Sequence, residues 1–188
     1  MSGMSIWKYS GDQKDSQHMS ETISALHKET DRSVAIVAAA IVDNALSAAL
    51  LRFLHQQKKA TDELFRSSGP LGSFSSKIHL GLLVGLYGEE AHRDLNTMRD
   101  IRNRFAHRLS VQDFNTEAIA ALSMNLKLVE KHLGGATQPA ERPSTWQIGS
   151  LDRDAVLKDP RERYLSTAQV LTFGLAIPHG VGMPAPKF

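Results

Sequence analysis

Cysteine is absent from the 188 residues. That excludes disulfide staples, thiolate nucleophiles and cysteine metal sites, and it fits a reducing compartment such as the cytoplasm. Excess charge of one sign is also missing: the formal net charge is only +2. A histone-like or arm-like nucleic-acid binder would be more basic. Residues 1–20 lack an apolar run behind a basic start, so no signal peptide is expected. Residues 34–51 are long enough to raise the question of a membrane span. Asp43 and Asn44 interrupt that stretch, however, and a carboxylate at that depth costs about 2.5–3.5 kcal/mol. It reads as the buried core helix of a soluble protein. No phosphate-loop or dinucleotide fingerprint is present; Gly81, Gly85 and Gly88 fit neither. The eight histidines, His79, His92 and His132 among them, form no i,i+4 pair with a carboxylate at metal spacing, so no metal or cofactor is expected.

Proline is nearly missing from the first 133 residues, where Pro70 stands alone. What fills that region is helical periodicity. Hydrophobic residues make up 41% of the chain, enough for a real core. Ile23 and Leu26 begin a short amphipathic stretch. Val34, Ile36, Val37, Ile41, Val42, Leu46, Leu50, Phe53 and Leu54, with alanines between them, cover most of a helix surface, the pattern of a central helix. Thr61 and Asp62 look like the cap of a helical turn, and Ser67 to Gly72 is turn chemistry. Phe74, Ile78, Leu82 and Leu86 mark a second helix. Leu95, Met98, Ile101 and Phe105 mark a third, beginning at Glu89. Ile119, Leu122, Leu126, Val129 and Leu133 mark a fourth, which Gly134 and Gly135 stop.

No strand pattern is present. The expected fold is an all-α helical bundle of about five helices with a Pro/Gly-rich C-terminal extension. Residues 1–20 read as a mobile segment, 21–133 as the bundle domain, and 134–188 as linker and tail. Six of the seven prolines fall in that last part. Within it, Asp159-Pro160 is a good helix start. Tyr164, Leu165, Ala168, Leu171 and Leu175 outline one more helix over 160–175, docking on the bundle or on a partner.

The chemistry concentrates in Arg102-Asn103-Arg104-Phe105-Ala106-His107. Arg stays charged at any working pH, while His exchanges a proton near neutrality. Phe105 anchors the run to the core. Arg99, Asn103 and His107 share a face at spacings of four, and Asp100, Arg104 and Arg108 form a second such row. Between residues 93 and 108, five arginines against Asp94 and Asp100 leave a local charge of +3, a modest attraction for phosphate, with Arg99 and Arg104 as candidates. Two readings stand. In one, Arg102 clamps a phosphate, His107 acts as general acid or base, and a ribose 2′-OH attacks. In the other, Arg102 pairs with a carboxylate across the bundle, Asp43 being the candidate, and Asn103 and His107 cross-link helices. On a straight helix Arg102 and His107 lie about 140° apart, so they converge only if the helix ends or bends near His107, or if a second copy supplies one of them.

Several of these residues carry a family resemblance. Asp31-Arg32, residues 37–43 (ending in Asp43), residues 69–78 (Gly69-Pro70-Leu71-Gly72 through Ile78), and Asp94-Leu95 with residues 98–107 together resemble the mannitol operon repressor family over residues 21–133. The resemblance implies an all-helical, cytoplasmic transcriptional regulator, often dimeric, that acts through a protein partner because it lacks a recognisable DNA-binding motif. The tail after Gly134 departs from the family pattern. Arg102, Asn103 and His107 are also similar to the Arg-x4-6-His signature of HEPN-domain ribonucleases, which build their site across a dimer. That implies a metal-independent endoribonuclease, or an inactive RNA-binding relative, as the alternative. The first reading is a non-enzymatic regulator. Specific DNA binding ranks last, since neither charge nor a helix-turn-helix supports it.

Overall fold

The computed structural model describes residues 22–54 except 24, together with 57–108, 113–134 and 153–176. The expected mobile segment 1–20, most of the linker and the tail from 177 lie outside the described residues. Among those described, the fold is all-α with no strand. A short helical stretch that buries Ile23 and Leu26 leads into α1 (Asp31–Phe53), α2 (Lys58–Phe65), α3 (Phe74–Leu83), α4 (Glu89–His107), α5 (Glu117–Met124), α6 (Leu128–Gly134), α7 (Arg153–Lys158) and α8 (Pro160–Ala176).

Thr30 caps α1, its hydroxyl accepting from Ser33 N at 3.3 Å, and Asp31 and Arg52 match the helix dipole at either end. Val34, Ala35, Ala38, Val42, Ala45, Leu46, Ala49 and Leu50 face the core. The opposite side faces outward: Val37 is 39% exposed, and Ala40 and Asn44 are exposed as well. Length and composition would let α1 cross a membrane, yet half of its most apolar window is buried in the bundle, against α8, α4 and α3.

The helix enclosed on all sides is α8, not α1. Residues from Arg163 to Leu175 are buried with the exception of Gln169, and α8 packs against α1, α4, α5, α6 and α7. Tyr164 Oη donates to Ala35 O at 2.8 Å, and Arg52 donates to Leu175 O. Its buried threonines bond back to their own helix, Thr167 Oγ1 to Arg163 O at 2.8 Å and Thr172 Oγ1 to Ala168 O at 2.6 Å, so hydroxyls sit in the core satisfied. The boundary drawn at Gly134 from composition therefore cuts through one core, shared by Val34, Met98, Tyr164 and Leu171.

Two local expectations change. Helix α2 begins at Lys58, a turn before the expected Thr61/Asp62 cap, because Lys58, Lys59 and Ala60 are themselves good helix formers. The single fourth helix is two, α5 and α6, broken at residues 125–127. The break leaves the amides of Lys127 and Leu128 without helical partners, and Asp94 of α4 takes both: its Oδ2 accepts from them at 2.9 and 2.8 Å.

Helix α3 is capped by Ser73, which accepts from Ser76 N at 3.0 Å. It ends in a Schellman turn: Gly85 has φ +74°, Gly85 N donates to Leu82 O at 3.0 Å and Leu86 N to Gly81 O at 2.9 Å. The turn sends Tyr87 back across α3, where its hydroxyl donates to Ile78 O at 2.7 Å. Only glycine fits at 81, since a Cβ there would stand 2.4 Å from that hydroxyl.

Candidate functional site

The Arg102–His107 run forms the last turns of α4. Gly88 starts the helix and Glu89 and Glu90 stand in its first turn, while Arg104 and His107 stand in its last; both ends suit the dipole. Leu95, Met98, Ile101 and Phe105 point inward and are fully buried. Phe105 stacks obliquely on Phe114 (centroids 5.1 Å apart), and Phe114 on Tyr164 (5.2 Å), which ties α4 to α8. Asp31 and Arg32 secure the end of α4. Arg32 donates to the carbonyl of Phe105 and, at 3.3 Å, to that of Arg108; Asp31 Oδ2 accepts from Phe114 N at 2.8 Å. Sequence reading gave those two residues no role.

With Phe105 inward, the polar members of the run face out. Arg102 and His107 are exposed, and Asn103 and Arg104 are partly so. Arg102 Nη1 donates to Asn103 Oδ1 at 2.9 Å. The expected Asp43–Arg102 ion pair does not form. Helix α3 crosses α1 so that Lys77 Nζ lies 2.5 Å from Asp43 Oδ1 and 2.9 Å from Ser47 Oγ, and the Ser47 hydroxyl donates to Asp43 O at 2.9 Å. Burial raises the Asp43 carboxyl above the ordinary carboxylate range; the Lys77 bond and the charges of Lys77 and Arg102 oppose that. Arg102 thus acts on Asp43 at a distance only. The Asp100–Arg104 pair is replaced too: Asp100 Oδ1 accepts from Arg99 Nε (3.2 Å) and Nη2 (2.8 Å), while Arg99 Nη1 reaches Ser75 Oγ at 2.8 Å. Among the described residues the His107 side chain has no hydrogen-bond partner. The helix stops at His107, with Arg108 extended (φ −114°, ψ 112°); Arg102 and His107 both lie within its regular turns, so its end does not by itself bring them together.

The network that consumes its charges lies elsewhere. Arg163 is 2% exposed and donates to Leu157 O (3.1 Å), Leu126 O (2.5 Å) and the Glu130 carboxylate, whose pKa the Arg163 bond lowers. Arg161 donates to the carbonyls of Leu26, His27 and Glu29 and pairs with Asp31 at 3.3 Å. Asp94 is fully buried, and burial pushes its carboxyl up to about 6, against the two amide bonds that lower it. The sequence did hold a signal for Asp94: it stands on the apolar stripe of α4, between Ala91 and Met98, where an acid needs a buried partner.

On the α3–α4 seam, His79 Nδ1 and His92 Nε2 lie 3.2 Å apart, with Asn96 Nδ2 3.2 Å from the same His92 nitrogen. No group of three or more His, Asp or Glu side chains suited to a metal occurs among the described residues.

No family model matches the chain, and no curated protein matches it. Among solved structures the fold is similar to a chain in the X-ray structure of the MtlR-HPr complex from Escherichia coli. The match covers 88% of this chain and 100% of that one, with a TM-score of 0.63 and 17% identity. At that identity the likeness is one of fold alone.

Proposed function

We propose that this chain is a cytoplasmic regulator of the mannitol operon repressor type that acts by binding a protein partner, as a homodimer and without a cofactor. The observation that carries this reading is the shared fold with the MtlR-HPr complex over 88% of the chain. It agrees with the three sequence blocks, whose residues here build α1, the α2–α3 turn and α4. The partner is by the same token an HPr-type protein. The test is calorimetric titration of this chain with HPr from the same genome. Saturable 1:1 binding is expected; no heat up to about 1 mM, near −4 kcal/mol of binding free energy, would sink the proposal. Light scattering checks the dimer, which fails if the mass found is the 20.7 kDa of one chain.

One observation favours a second reading. Arg102 and His107 are exposed, Asn103 is partly so, and no carboxylate among the described residues is bonded to Arg102. That suits a phosphodiester held by Arg102 with His107 as acid or base, a second copy completing the site. Here His107→Ala should abolish cleavage of single-stranded RNA with the melting temperature unchanged. An inactive wild type refutes it.

A further inference from the structure

The His79–His92–Asn96 cluster serves neither reading above. Three groups crowd one point: His79 Nδ1 and Asn96 Nδ2 each lie 3.2 Å from His92 Nε2, and the rings are 5.3 Å apart and tilted by 51°. His92 and Asn96 share one face of α4 at spacing four, and α3 presents His79 to that face. A metal held by nitrogens at about 2.0–2.1 Å in a tetrahedron separates its ligands by about 3.3 Å, close to the spacing found. Asn96 Nδ2 also donates to His92 O at 2.9 Å, which fixes the amide with its nitrogen at this point, so Asn96 steadies His92 and is not itself a ligand. His79 is exposed and the other two partly so, which leaves the remaining coordination positions open to water or to a donor from another molecule. The nearby Arg99 guanidinium is already held by Asp100 and Ser75, so its charge is compensated.

We propose that α3 and α4 form a site for a borderline divalent cation of the zinc or nickel class, with His79 Nδ1 and His92 Nε2 as its two protein ligands and water or a donor from another molecule completing the coordination. Imidazole suits those metals, and fixing two imidazoles on separate packed helices removes most of the ordering cost. The competing account is a plain hydrogen bond that zips α3 to α4. Calorimetric titration of the full chain with zinc and with nickel at pH 7.5 separates the two. One equivalent is expected to bind. His79→Ala and His92→Ala should each weaken it by about tenfold or more, as loss even of a supporting partner does at metal sites, while His107→Ala leaves it unchanged. His79 is exposed, so its variant remains folded, which circular dichroism checks. The proposal is overturned by absence of saturable binding, or by binding that survives His79→Ala.

Discussion

Asp94 is a carboxylate without exposure, placed where it must serve the amides of Lys127 and Leu128 and where burial lifts its pKa to about 6 from 3.8. A folded-state pKa above the unfolded one means that the folded protein binds the extra proton. Stability from this group is therefore present in acid and falls as pH rises from about 4 to above 6. A shift of about two units corresponds to about 3 kcal/mol, of which about 2–3 kcal/mol is expressed between pH 4 and 7.5. Glu130 has the opposite sign, its pKa lowered by Arg163, so the wild-type curve alone does not isolate Asp94. Asp94→Asn does. The amide oxygen still accepts from the α6 amides, the charge is gone, and any cost of burying the extra N–H does not vary with pH. Urea unfolding followed by circular dichroism, on both proteins from pH 4 to 7.5, should give a wild-type-minus-variant stability that drops by about 2–3 kcal/mol. A flat difference, or one that rises with pH, would show that Asp94 is not a buried, desolvated cap.

Lys77→Met leaves the raised Asp43 carboxyl without its counter-ion. Since 27% of the Asp43 side chain stays exposed, the expected loss is about 2 kcal/mol rather than the 3–5 kcal/mol of a fully buried pair; a second change, Asp43→Asn, should recover most of it in a double-mutant cycle. Gly81→Ala pushes a Cβ into the Tyr87 hydroxyl and should lower the urea midpoint by the equivalent of about 1–3 kcal/mol, whereas Tyr87→Phe in that background should relieve part of the clash while losing the bond to Ile78. Truncation after Gly134 removes α8. Burial of Leu165, Val170, Leu171 and Leu175 is worth roughly 1.5–3 kcal/mol each, together comparable to the whole stability of a domain. The shortened chain should show no cooperative thermal transition, and a sharp one would mean that the first 134 residues fold alone.

The all-α class and the inward stripe Leu95–Met98–Ile101–Phe105 were legible because they are written in spacings of three and four, whereas the Schellman end at Gly85 was not: the apolar spacing runs on to Leu86, past the turn that Gly85 makes. The break between α5 and α6 was not legible either, because Asp94, which makes it tolerable, is more than thirty positions away. Charge partners were misread for the same reason: periodicity places Asp43 and Arg102 at similar depth, but the crossing of α3 over α1 gives Asp43 to Lys77 instead. Arg102, Asn103 and His107 could be selected by composition; the outward direction of Asn103 and His107 follows from Phe105 pointing in, whereas Arg102, about 60° from Phe105 around the helix, was placed only by the tertiary structure.

By itself, then, the sequence determined the all-α class and the inward stripe of α4, since those depend on neighbours within one turn; α7 and the split of α5 from α6 were not read from it. Only the tertiary structure decided which helix is enclosed. Alanines make α1 look central, yet half of it is open, while threonines make α8 look peripheral, yet the hydroxyls of Thr167 and Thr172 bond within the helix and let it fill the middle. It also decided that His79 and His92 meet, thirteen positions apart on two helices whose packing no local pattern encodes.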